Sequence, residues 1–241
     1  MHCHIRQAHP VRQGAPQAKE ASQAPVSLSL RQGAARGPRR PRAIAWLAGL
    51  LALGLAACTS SPPDQVANAC GIFEEKRSWY KAMKRAEDRW GLPVGVNLAF
   101  IRQESSFEAK ARPDRKRILG IIPGPRPSSA YGYAQATTPT WEDYQRDVRR
   151  PGADRDDFSD AVDFVGWYTS RASRTLGLSQ SDAYRQYLAY HEGFGGYRSG
   201  SYRNKAWLQK AARRVANNAS VYERQLAGCE RSLNRSRFLF F

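Results

Sequence analysis

The chain holds 241 residues with 41% hydrophobic side chains, six Trp and eleven Tyr, a composition that excludes a disordered protein and allows one good-sized domain or two small ones. Its formal net charge is +17; residues 1–58 carry eight Lys/Arg and one Glu, so the remainder still holds 30 basic against 20 acidic residues. Such an excess suits an anionic partner, whether nucleic acid, a lipid surface or an acidic cell-wall polymer, and charge alone does not choose among them.

Arg36, Arg39, Arg40 and Arg42 precede an apolar stretch, 43–57, that contains Trp46, Leu47, Leu50, Leu51, Leu53 and Leu55. It is too short to span a bilayer and of the right order for the core of a signal peptide. It ends in Leu55-Ala56-Ala57-Cys58, which resembles a bacterial lipobox: small residues at the cut, then a cysteine to be acylated. Thr59-Ser60-Ser61-Pro62-Pro63-Asp64 follows as a polar tether. Thr59, where an Asp would be the retention signal, implies by resemblance to Gram-negative lipoproteins the periplasmic side of the outer membrane. Residues 1–35 form a long Gln/Ala/Arg-rich segment ahead of this signal, and we expect translation to start downstream, for example at Val26. Met1-His2-Cys3-His4 lies upstream of the cut, so no metal site is expected there. Removing Cys3 and acylating Cys58 leaves Cys70 and Cys229, which in an oxidising compartment read as one disulfide, the alternative being two separately buried thiols.

From Cys70 onward the apolar pattern is helical. Trp79, Met83, Ala86 and Trp90 recur at i, i+4, i+7 and i+11, one stripe of an amphipathic helix. Gly91-Leu92-Pro93 stops it, with Pro93 suited to the first turn of the next helix. That next helix places Val94, Leu98 and Ile101 on one face with Val96 and Phe100 beside it. It is therefore expected to be buried nearly all round, and it runs into Glu104-Ser105-Ser106-Phe107. Residues 108–130, with Lys110, Arg112, Arg115, Lys116 and Arg117 followed by Pro123, Gly124, Pro125 and Pro127, read as a long loop, with a short hairpin as the one β feature. Thr138-Pro139-Thr140 before Trp141 and Tyr144 marks a helix start. Residues 160–176 read as a helix stopped by Gly177, and Ser179 with Asp182 as a capping box opening a helix through Tyr190. Gly193, Gly195 and Gly196 break the chain again. Leu208, Ala211, Val215, Ala219, Tyr222 and Leu226 line a last long helix that returns Cys229 towards Cys70. The expected organisation is an upstream segment and signal peptide over 1–57, a lipidated tether over 58–69, one all-α domain with at most a minor hairpin over 70–230, and a tail over 231–241 ending in Phe238-Leu239-Phe240-Phe241.

Three stretches carry the chemistry: Ile101-Arg102-Gln103-Glu104-Ser105-Ser106-Phe107, Tyr131-Gly132-Tyr133-Ala134-Gln135 through Thr138-Pro139-Thr140, and Leu188-Ala189-Tyr190-His191-Glu192-Gly193. In this order and spacing they resemble the soluble lytic transglycosylase family, which is lysozyme-like: Glu-Ser after an apolar helix, Gly-x-x-Gln with a downstream Pro-x-Thr, then Ala-Tyr-Asn-x-Gly. The resemblance covers roughly residues 75–205. It implies a peptidoglycan substrate, no cofactor and no metal, and Glu104 as sole catalytic acid and base. It also implies Gln135 near the scissile sugar, Ser105 orienting Glu104 or a substrate acetamido group, and Tyr190 with its hydroxyl towards the catalytic carboxylate. A glycosidic acid must stay protonated near neutral pH, and partial burial at a helix C-terminus supplies that for Glu104. Tyr131, Tyr133 and Trp141 are candidates for sugar stacking or core packing.

The chain departs from the family at His191, which stands where Asn is usual and is the sole histidine after Cys58. It either replaces the Asn hydrogen bond or makes activity pH-sensitive. Glu192 beside it offers a second carboxylate, which would turn the enzyme into a hydrolytic muramidase; a glycan- or partner-binding lipoprotein that does not cut is the third reading. The basic loop and Arg126 are either a solvated face or a contact for the anionic peptide stems of peptidoglycan. No nucleic-acid motif is present, and a monomer is expected.

Overall fold

The computed structural model describes residues 61–115, 117–118 and 121–235, all within one compact unit spanning Ala57–Phe241. The expected signal segment, Cys3, Cys58 and the apolar end of the tail lie outside the described residues. Seven α-helices form the described part: α1 (Ala69–Glu75), α2 (Arg77–Trp90), α3 (Val94–Ser105), α4 (Thr138–Val148), α5 (Phe158–Leu176), α6 (Ala183–Ser199) and α7 (Ala206–Asn234). A 3-10 turn, Ser201–Asn204, joins α6 to α7. Between α3 and α4 a two-residue antiparallel pair, β1 (Arg117–Ile118) with β2 (Ile122–Pro123), makes the minor hairpin. The all-α expectation holds.

The amphipathic stripe of α2 faces inward, with Trp79, Met83 and Ala86 buried and Gly91 closing the helix in the left-handed region. Pro93 sits one position before the helix proper, its extended backbone (φ −55°, ψ 143°) serving as the cap of α3. Helix α3 is the spine of the domain: every residue from 94 to 101 is buried, and it packs chiefly on α7. The carboxylate of Asp163 ties three helices together, accepting from Trp90 Nε1 and the Tyr144 hydroxyl, each at 2.8 Å, and from Arg89 Nη1 at 3.1 Å. Placed among aromatic rings, it has a donor from each neighbour to offset its desolvation. Cys70 and Cys229 are joined, closing a span of 159 residues and clamping α1 to α7. A cross-link over so long a loop contributes on the order of 4–5 kcal/mol in the chain-entropy picture.

Two local expectations need correction. The cap of α6 is Asp182 alone, whose carboxylate accepts from Arg185 N at 3.0 Å; the Ser179 hydroxyl instead meets Ser181 Oγ at 2.9 Å. The glycines after Tyr190 do not end the helix. Only Gly193 leaves helical geometry (φ 71°, ψ 167°), and α6 resumes beyond it to Ser199. That conformation belongs almost entirely to glycine, so the Gly193 kink is what lets the last turn of α6 bend towards α7.

Candidate functional site

Glu104 occupies the last turn of α3. Immediately after it the backbone is held in the left-handed region at Ser106 (φ 51°) and Phe107 (φ 68°), and Gln135 (φ 48°) is likewise left-handed. Each such non-glycine residue costs about 1–2 kcal/mol. The cost is offset because Phe107 is fully buried and stacks on Trp79 at 5.9 Å. Strained backbone thus flanks Glu104 and carries Gln135, the pattern of a chain held for geometry and not for stability.

The Glu104 residue is partly exposed, but its Oε1 is sealed from solvent and has no hydrogen-bond partner among the described residues. Burial pushes the carboxyl up from its ordinary 4.5 to about 7, against the opposing pull of a hydrogen bond with the Tyr187 hydroxyl. The C-terminal end of the α3 dipole acts in the same direction as burial. Phe100, one turn earlier, forms the apolar floor, meeting the rings of Tyr187 and Tyr190 edge-on at 5.3 and 5.4 Å. The Tyr190 hydroxyl donates to the Ala134 carbonyl at 2.5 Å. Burial, and then the nearby Glu104, hold its phenol well above the usual range. Tyr190 therefore lies close to the carboxyl but ties α6 to the Gly132–Gln135 turn, while Tyr187 makes the contact the sequence reading gave to Tyr190. Tyr187 was not singled out from the sequence. Its signal was the three-residue spacing to Tyr190, which puts both rings on one helical face.

The Gly132 turn is built by close approach. Gly132 has φ 80°, and a Cβ there would lie 2.0 Å from the Arg155 carbonyl oxygen. Its N–H donates to Ala111 O at 3.0 Å. Gln135 Nε2 donates to Ala111 O at 3.0 Å and Gly132 O at 2.9 Å. The amide N–H groups of Gln135 thus brace two loops, and what it offers a ligand is its carbonyl oxygen. Ser105 is buried and donates from Oγ to Ile101 O at 3.2 Å, which directs its hydroxyl to the helix backbone and not to Glu104. The Tyr133 ring is 1% exposed, edge-on to Trp79 and Phe158; Trp141 is buried against Tyr144 and Phe164. Both rings are core, because no face is left open for a sugar. Tyr131 keeps partial exposure beneath the Arg112 guanidinium, 4.2 Å from its ring, and donates to Asp156 Oδ2 at 2.8 Å.

Glu192 lies in different surroundings. Its side chain is 3% exposed and receives Lys205 Nζ at 2.8 and 2.9 Å on its two oxygens. The Ser201 hydroxyl donates to it as well, and His191 Nδ1 is 3.2 Å away. Burial acts to raise this carboxyl, yet those partners outweigh it and hold it at about 2. The His191 ring stands edge-on to Trp207 at 5.0 Å, and Trp207 is 59% exposed. Trp207 was also passed over in the sequence; it presents an exposed indole one ring away from the Tyr190-His191 stretch. In the basic loop, Arg115 and Arg126 donate to the carbonyls of Gly124 and Pro113, so these two cations brace the loop.

Among protein families, a model described as "Transglycosylase SLT domain" matches residues 46–229. No curated protein matches the chain.

Proposed function

From the premise that the chain belongs to the transglycosylase SLT domain family, we propose that it is a lytic transglycosylase that cleaves the β-1,4 bond between N-acetylmuramic acid and N-acetylglucosamine, with Glu104 as its single acid and base. Glu104, protonated near neutral pH, gives its proton to the glycosidic oxygen as the C1–O bond breaks. The C6 hydroxyl of the muramic acid closes on C1, and its proton passes to the Glu104 carboxylate. The products are a 1,6-anhydromuramic acid end and a free 4-hydroxyl, no water is consumed, and Glu104 returns to its starting state. Because the nucleophile is tethered to the reacting sugar, effective molarity takes the place of a second carboxylate.

The observation that carries this reading is the partnerless, enclosed Oε1 of Glu104, with its carboxyl raised to about 7. A two-carboxylate mechanism needs a second free acid or base, and Glu192 is engaged by Lys205 and Ser201. Gln135 and Trp207 are proposed to contact the glycan, and Tyr187, Tyr190 and Ser105 to position the Glu104 helix end. We also propose acylation at Cys58, which would hold the domain on the periplasmic side of the outer membrane; release of a Cys58→Ala form into the soluble fraction is the expected check, and unchanged membrane association would refute it. The activity is tested by mass spectrometry of peptidoglycan digested with the purified full chain and with Glu104→Gln. Anhydro-muropeptides from the parent alone are expected. Reducing-end products would instead establish hydrolysis, and bound but uncut peptidoglycan a binding module.

A further inference from the structure

Beside the end of α3, an open recess of about 420 Å³ is lined by Arg102, Gln103, Ser106, Arg214, Asn217 and Asn218. No carboxylate lines it. Arg102 Nη1 donates to Asn218 Oδ1 at 3.4 Å and to the Tyr222 hydroxyl at 3.1 Å, and Arg214 Nε donates to Gln103 Oε1 at 3.4 Å. Both guanidiniums are therefore aimed by neutral acceptors, and neither has a carboxylate partner among the described residues. In the basic loop Arg115 and Arg126 likewise meet neutral acceptors, but these are carbonyls of the loop itself, and Arg112 lies on the Tyr131 ring. The recess gathers two guanidiniums with no carboxylate in its lining, and it adjoins the chemistry. Gln103 and Ser106 flank Glu104 in the chain, and Arg214 is close enough to Tyr187 to act on its phenol.

We propose that this recess binds a carboxylate of the peptide stem carried by the muramic acid, so that the enzyme prefers stem-bearing over bare glycan. The proposal rests on the function above and adds the substrate feature that the site selects. A guanidinium fork matches a carboxylate in geometry and charge. Ser106, Asn217 and Asn218 supply hydroxyl and amide groups suited to the peptide bonds leading to that carboxylate. The lining has no aromatic face for a sugar ring and no apolar wall for an acyl chain.

The test uses the full chain carrying Glu104→Gln, so that bound glycan is not consumed. Affinity is measured for a glycan oligosaccharide bearing tetrapeptide stems and for the same oligosaccharide after amidase has removed them. The expected result is a preference of about tenfold for the stem-bearing probe, shrinking as salt is raised and lost in the added Arg214→Gln variant. Arg214 is exposed, and an unchanged thermal midpoint confirms that this variant is folded. Equal affinity for the two probes, or a preference that survives Arg214→Gln, overturns the proposal. Failure of the catalytic reading shows separately, as products lacking the anhydro ring from the parent chain, and leaves this binding comparison intact.

Discussion

Glu104 and Glu192 are the same residue type, each within a motif stretch and each drawn out of bulk water, yet their carboxyls are driven in opposite directions. At Glu104 burial acts against a single tyrosine hydroxyl, and the carboxyl rises to about 7. At Glu192 burial is outweighed by Lys205, Ser201 and His191, and the carboxyl falls to about 2. The difference lies in what each burial encloses. A carboxyl in an apolar pocket becomes a proton donor, and one enclosed with a cation becomes a fixed charge. In this molecule the first ends the buried helix α3, and the second braces the kinked end of α6 against the start of α7.

Either carboxylate can be neutralised by substitution. Glu104→Gln is expected to lower the turnover of peptidoglycan by about a thousandfold, the scale of a lost general acid, measured as anhydro-muropeptide release. The same substitution also acts on stability. Because the Glu104 pKa is raised on folding, the folded chain holds more protons than the unfolded chain between 4.5 and about 7, and stability falls as pH rises through that window. Glu104→Gln should remove this slope and stabilise the protein at neutral to mildly alkaline pH by on the order of 3 kcal/mol, read from denaturant midpoints. Glu192 has the opposite sign: its depressed pKa contributes stability that is present above 4.5 and is lost as pH falls towards about 2.

Tyr187→Phe removes the hydrogen bond that holds the Glu104 carboxyl down. The pKa should then climb further, shifting the alkaline limb of the pH–rate profile upward and lowering turnover by about tenfold. An unchanged limb would show that Tyr187 does not govern Glu104. The smallest effect is expected at Glu192→Gln, a loss of about 1 kcal/mol for a pair whose lysine is partly exposed, with the anhydro product retained. A switch in product class in that variant would mean that Glu192 takes part in the chemistry.

Much of this was legible in the sequence because periodicity reports burial. The stripe Trp79, Met83 and Ala86, the buried run 94–101 and the pairing of Cys70 with Cys229 all appear as expected. So does the position of Glu104 at a helix end, although it is burial that raises its pKa. What periodicity cannot report is which face of a ring is open. Tyr133 and Trp141 sit among motif residues yet are enclosed by Phe158 and Phe164, whereas Trp207, outside every motif, is exposed. Tyr187 was hidden for a related reason: its partner lies on another helix, and only the packing of α6 over α3 brings its hydroxyl to the carboxyl. The lysine of the Glu192 pair lies thirteen residues away across a glycine kink and a 3-10 turn, a geometry that residue spacing alone does not specify.

Catalysis as proposed needs Glu104 to be a neutral acid near pH 7, and the most direct test is to watch it titrate. The carboxyl carbon of Glu104 is followed by ¹³C NMR in the folded, glutamate-labelled protein, with Glu104→Gln identifying its resonance. A midpoint near 7 is expected, well separated from a Glu192 midpoint near 2. A Glu104 midpoint at the ordinary 4.5 would contradict it, because the residue would then be ionised at neutral pH with no proton to give.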